Sequence, residues 1–129
     1  MNGRFLLDTN IVIALFANEP SVTENLRLAQ AVFVPSIVIG ELYFGAYRSG
    51  RVEANLQRVS EFASYANILN CDIDTAREYG RIKDLLRQAG RPIPENDIWI
   101  AAIGLQHDLT VISRDVHFDE IVGLIIEKW

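Results

Sequence analysis

Phe5, Leu6 and Leu7 form a short unbroken apolar run, with an acid, Asp8, directly behind it and a second apolar stretch from Asn10 to Phe16. A strand that is apolar at every position buries both faces, as strands of parallel sheets do and half-exposed antiparallel strands do not. Parallel neighbours must be joined by crossovers, usually helices, so this opening constrains the chain to an α/β fold. Similar runs recur at Ala31 to Val34, at the pair Ile68-Leu69, at Leu109 to Ile112, and at Leu124 to Ile126, the last read as an edge strand. Helical patterns fill the intervals. Ser21 can cap one that runs to about Ala29 or Gln30, Ser36 caps Ile37 to about Arg48, and Val52 to Tyr65 is amphipathic. Asp72 or Asp74 caps a long one to Ala89, and Glu95-Asn96-Asp97 opens another that ends near His107. At 129 residues this is one domain, a small, mostly parallel sheet flanked by helices.

Charge and patterning narrow the function. A net charge of −5 argues against a protein that grips nucleic acid by bulk positive charge, although an acid cluster built to hold cations would account for much of that excess. The single cysteine, Cys71, beside Ile68-Leu69, is expected as a buried thiol in a reducing compartment. No apolar run reaches membrane-spanning length and no cleavable leader opens the chain, which implies a cytoplasmic protein with no membrane contact. Gly45 is expected to let helices approach closely, and Gly50 and Gly90 to end helices. The inner face of the long helix is read as Ala76, Tyr79, Ile82, Leu85 and Leu86. Tyr43, Phe44 and Tyr47, with the strip around Val52 and Leu56, give more apolar helix surface than a small sheet can cover, which points to a homodimer.

The acids carry the chemistry. Asp8 and Asp115 both follow apolar strands, and ligands of open α/β sheets bind outside the carboxyl ends of strands. Glu41 shares a helix face with Ile37, Phe44 and Arg48, where an unpartnered carboxylate is costly. Asp97 lies in the first turn of its helix, a place that capping alone could explain, as it could Asp8. Asp72 and Asp74 have a sufficient role as caps and are set aside. Right-handed crossovers allow Asp8, Glu41, Asp97 and Asp115 to converge on one edge of the sheet. Four carboxylates together repel unless cations lie among them, and oxygen donors select hard ions, Mg2+ or Mn2+. Such ions suit phosphoryl chemistry. No Cys/His cluster at zinc spacing occurs, and the two histidines, His107 and His117, are read as surface or hinge residues.

Leu6-Leu7-Asp8-Thr9-Asn10, Ser36-x4-Glu41-Leu42-x2-Gly45, Asn96-Asp97 before an apolar helix, and Ser113-Arg114-Asp115-x2-Phe118 together resemble the PIN-domain ribonucleases. The size and the C-terminal tryptophan are most similar to the VapC-type toxins of bacterial toxin–antitoxin pairs. The resemblance implies a magnesium-dependent endoribonuclease that cuts tRNA or ribosomal RNA and is held inactive by a cognate VapB-like antitoxin. It implies Asp8, Glu41, Asp97 and Asp115 as the metal-binding acids, with Thr9, Asn10, Asn96 and Ser113 orienting them. The contact to RNA phosphate is left open among Arg48, Arg51, Arg81, Lys83, Arg87 and Arg114. Two other readings compete. A non-catalytic PIN-like module that binds RNA or protein has no need of costly acids at all four places. A metal-dependent phosphatase of the haloacid-dehalogenase type needs a second acid two residues after the first, where this chain has Asn10.

Overall fold

The computed structural model describes residues 3–129. Among them, five strands alternate with six helices: β1 (Arg4–Leu7), α1 (Thr9–Phe16), α2 (Pro20–Leu28), β2 (Ala31–Pro35), α3 (Ser36–Tyr47), α4 (Val52–Tyr65), β3 (Ile68–Leu69), α5 (Ile73–Ala89), α6 (Glu95–Gln106), β4 (Thr110–Ile112) and β5 (Ile126–Glu127). A short 3-10 helix, Val116–Glu120, lies between β4 and β5. Every strand pairing is parallel, in the order β3-β2-β1-β4-β5. The sheet grows outward from β1 to β3 on one side, and the chain then returns to lay β4 and β5 on the other. The loops after β1 and β4 therefore diverge, which opens a crevice at the carboxyl ends of these two central strands. Their register, Leu6↔Val111 and Leu7↔Ile112, brings the residues just beyond, Asp8 and Ser113, side by side.

The sheet is sandwiched as its apolar strands require. Leu6, Leu7, Val34, Val111 and Ile112 are buried and meet Ile11 and Val12 of α1, Val38 of α3 and Ile100 and Ile103 of α6 in one core. Each such aliphatic side chain contributes about 1.5–3 kcal/mol on full burial. α6 lies close on β4 because residue 104 is glycine: a Cβ there would stand 2.9 Å from Val111 Cγ2 and 3.2 Å from Leu124 Cδ1. Gly90 ends α5 in the left-handed region, at φ 67°, as expected from the sequence. No helix among the described residues is long and apolar enough to cross a membrane.

Several local expectations are corrected. Glu19, not Ser21, precedes α2, because Pro20 at the first helical position lacks an N–H to satisfy. Pro35 likewise precedes α3, and Ser36 is its first helical residue, with no side-chain cap. Gly45 faces open space rather than a neighbouring helix, and α3 ends at Tyr47 with Arg48 as its C-cap, ahead of Gly50. The buried stripe of α5 is Thr75, Ile82 and Leu86, which leaves Ala76 and Leu85 outside. Cys71 is exposed, because β3 ends two residues before it and the chain is already turning toward α5. The last strand lies at Ile126–Glu127 rather than Leu124 to Ile126, fixed by the pairing of Val111 with Ile126.

Candidate metal centre

The two oxygens of Asp8 serve different loops. Its Oδ1 accepts from the Thr9 amide at 2.8 Å and starts α1, as an N-cap does. Its Oδ2 turns the other way and accepts from the Ser113 hydroxyl at 2.7 Å. Ser113, fully buried, in turn accepts from the Asp115 amide at 2.9 Å, so one hydroxyl ties the loop after β1 to the loop after β4. The Asn10 amide nitrogen stands 3.4 Å from Asp8 Oδ2 and 3.5 Å from Ser113 Oγ, and its oxygen accepts from the Arg114 amide at 3.2 Å. A carboxamide is not a general acid, so position 10 cannot supply the proton that the phosphatase reading requires there.

Glu41 reaches this cluster from α3. The Thr9 hydroxyl donates to its Oε1 at 2.7 Å, next in sequence to Asp8. Asp97 enters from the first turn of α6 without capping it: Pro94 precedes the helix, and no side chain caps it. The Asp97 carboxylate is instead buried, with Oδ2 2.9 Å from His117 Nδ1. Asp115 caps the 3-10 helix, accepting from the His117 amide at 3.0 Å, and its Oδ1 is also 2.9 Å from His117 Nδ1. Glu41, Asn96, Asp97, Asp115 and His117 line an open cleft of about 420 Å³. Asn96 is exposed in the lining of this cleft. A roomier cavity, about 580 Å³, lies between α5 and the Gly90–Ile93 connection and is lined by none of the four acids.

The electrostatics follow from this crowding. The Asp8 carboxyl is raised from 3.8 to about 6, first by burial and further by the charges of Asp97 and Glu41, against the pull of Ser113 and the Thr9 amide. The Asp97 carboxyl is also raised, first by burial and then by Asp115 and Glu41, with His117 opposing. No Lys or Arg pairs with any of the four acids among the described residues. The donor set, four carboxylates with at most an imidazole beside them, fits a hard divalent cation such as Mg2+ or Mn2+ and supplies the negative charge that such an ion needs.

Two residues escaped the sequence reading. His117, read as a surface or hinge residue, belongs to the cluster: one nitrogen of its ring and an oxygen each of Asp97 and Asp115 all lie within 4.8 Å of one another. Its signal was slight, a histidine two residues after an acid. Arg58 of α4 lines a second cleft, about 370 Å³, that shares Glu41, and its guanidinium lies 5.5 Å from the centre of the Phe16 ring. Of the basic residues named earlier, Arg81, Lys83, Arg87 and Arg114 are occupied by Glu78, Glu95, Asp84 and Glu19. Arg114 also holds the Trp129 carbonyl at 3.0 Å. Arg48 lies over Phe44.

The PIN domain family matches residues 5–124, a span that includes all four acids. A ribonuclease VapC2 of Haemophilus influenzae is 34% identical over 129 residues, covering 98% of each chain. A tRNA(fMet)-specific endonuclease VapC of Shigella flexneri is 33% identical over 129 residues, with the same coverage. Among solved structures, the DNA-bound VapBC of Salmonella typhimurium superposes with a TM-score of 0.90 at 30% identity, covering 98% of both chains. With fold and length in agreement, the chain belongs to the PIN domain family and, within it, to the VapC ribonucleases.

Proposed function

We propose that the protein is a metal-dependent endoribonuclease, the toxin of a toxin–antitoxin pair. The observation that carries this reading is the meeting of Asp8, Glu41, Asp97 and Asp115 at the mouth of the crevice between β1 and β4, with burial and mutual repulsion raising Asp8 and Asp97. These four acids would hold Mg2+ or Mn2+. A bound ion would supply an activated water and would offset negative charge on the cleaved phosphate. The chain's own contribution is positioning. Ser113 and the Thr9 amide fix both oxygens of Asp8, the Thr9 hydroxyl fixes Glu41, and the Asn10 side chain holds the loop after β4 in register. Arg58, in the cleft that shares Glu41, is placed to receive an RNA phosphate.

The relatives named tRNA(fMet)-specific endonuclease support a structured RNA as substrate, and tRNA is the first to try. The neighbours solved as VapBC complexes support a VapB-like antitoxin as partner. Purified protein incubated with total tRNA, ribosomal RNA and a small phosphate ester should cut RNA alone, and only with Mg2+ or Mn2+. Asp8→Ala and Asp97→Ala should abolish cleavage, and Asp72→Ala should not. Asp72 faces its own helix, in a reciprocal cap with Thr75. Full cleavage by the Asp8 variant, or cleavage in EDTA, would refute the assignment. Metal binding with no turnover of any RNA would leave the binding module as the better reading.

A further inference from the structure

We propose that His117 is itself a ligand of the metal centre, so that the ion is held by mixed oxygen and nitrogen donors and Mn2+ is preferred over Mg2+. The inference rests on the metal-centre reading above and adds to it a residue outside the four acids.

The spacing of the three donors suits neighbouring ligands of one ion. His117 Nδ1 lies 2.9 Å from Asp97 Oδ2 and 2.9 Å from Asp115 Oδ1. Ligands about 2.1 Å from an octahedral ion, at right angles to one another, stand about 3.0 Å apart. The nitrogen is therefore already spaced from both oxygens as neighbouring ligands would be. One N–H can point squarely at only one acceptor, whereas an ion in front of all three donors satisfies all three at once.

The ring is also held where a ligand must be. The His117 amide donates to Asp115 Oδ1 at 3.0 Å, which fixes the turn that carries the imidazole. The next residue, Phe118, is fully buried in the core and anchors that backbone. The imidazole side chain is 42% exposed against 13% for Asp97, so the ring borders the solvent side of the cluster. Imidazole is a poor donor for Mg2+, which prefers oxygen, and a good one for transition ions. A nitrogen at this place therefore shifts the preference of an otherwise oxygen-only site toward Mn2+.

The test uses the full chain and Mn2+ itself as probe. Pulsed electron paramagnetic resonance of the Mn2+-loaded protein should show coupling to a 14N nucleus, replaced by 15N when the histidines alone are labelled. The chain has two histidines. The other, His107, caps the far end of α6, about 15 Å along the helix from Asp97. His107→Ala should therefore keep the coupling and His117→Ala should lose it. Competition between Mn2+ and Mg2+ should show the preference for Mn2+ falling about tenfold or more in His117→Ala. Should that variant fail to fold, the labelled native protein and His107→Ala still decide. Bound Mn2+ with RNA cleavage but no histidine coupling overturns the proposal and leaves the nuclease reading standing. No Mn2+ binding and no cleavage by the native protein overturns both.

Discussion

Asp8→Asn tests whether the site holds strained charge in the metal-free protein. Burial and the neighbouring acids raise the Asp8 carboxyl from 3.8 to about 6, which corresponds to about 3 kcal/mol by which its charged form is disfavoured in the folded chain. The sign follows from proton binding. Between these two values the folded chain keeps a proton that the unfolded chain has lost, so the native protein is favoured at low pH. That advantage is lost as the pH rises from about 4 through 6, and the curve is flat above. Asparagine at position 8 does not titrate. The unfolding free energy of the native protein, minus that of the variant, should thus fall with pH, with about 2 kcal/mol of the drop between pH 4.5 and 7.5.

The variant also loses something. With its oxygen kept on the Thr9 amide, the asparagine turns its nitrogen to Ser113 Oγ, which already accepts from the Asp115 amide, and the serine proton loses its acceptor. That costs about 1–3 kcal/mol at any pH, so at pH 7.5 the variant should be from equal to about 2 kcal/mol more stable than the native protein. Urea unfolding in EDTA, followed by tryptophan fluorescence across this pH range, measures both quantities. Adding Mg2+ or Mn2+ at a hundred times its dissociation constant should raise the native protein by about 2.7 kcal/mol and the variant far less, reversing the order. A difference that does not change with pH, or a variant well below the native protein at pH 7.5 in EDTA, would show that Asp8 is an ordinary cap whose charge the fold accommodates.

Other consequences can be measured independently. Gly104→Ala drives a methyl into Val111 and Leu124 and should cost about 1–3 kcal/mol despite the better helix propensity, read as a lower Tm with metal affinity unchanged. Phe44 and Tyr47 are 62% and 66% exposed on α3, whereas Tyr43, Val52 and Leu56 are half-buried, so the self-association surface is smaller than the sequence implied. Light scattering should give a dimer that Phe44→Asp dissociates, and a native monomer at micromolar concentration would contradict this. An antitoxin that inserts an Arg or Lys near Asp8 and Asp97 competes with the ion, so calorimetry should show its binding weaken as Mg2+ rises; a flat affinity would exclude that mode of inhibition.

The parallel sheet was legible because strands buried on both faces leave apolar runs, and β1, β2 and β4 are where such runs lie. What hydropathy could not place was set by neighbours across the fold. β5 is two residues long and takes its register from Val111, so Leu124, the most apolar-looking start, turns inward against Gly104 instead. The stripe of α5 rotated for the same reason: Thr75 is fully buried because its hydroxyl sits between Asp72 and Gln106 of α6, a contact between residues 31 apart. His117 was missed on like grounds. It lies 20 residues from Asp97, and its one local signal, an acid two residues before it, does not say that the ring turns toward that partner.

Capping does not exclude a second contact for an acid at the start of a helix, because a carboxylate has two oxygens. Asp72 Oδ1 accepts from the Thr75 amide and hydroxyl and from Gln106, all serving α5 and its packing on α6. Asp8 caps α1 with one oxygen and reaches Ser113, on the neighbouring strand's loop, with the other. The surroundings differ too. Asp72 is exposed and its carboxyl is lowered, first by the Thr75 amide, whereas Asp8 is buried and raised with two other acids beside it. An acid kept buried among like charges costs stability that a capping role alone does not require. That difference, rather than the position of the residue at a helix start, is what separates the acids of the cleft from the acids of the caps.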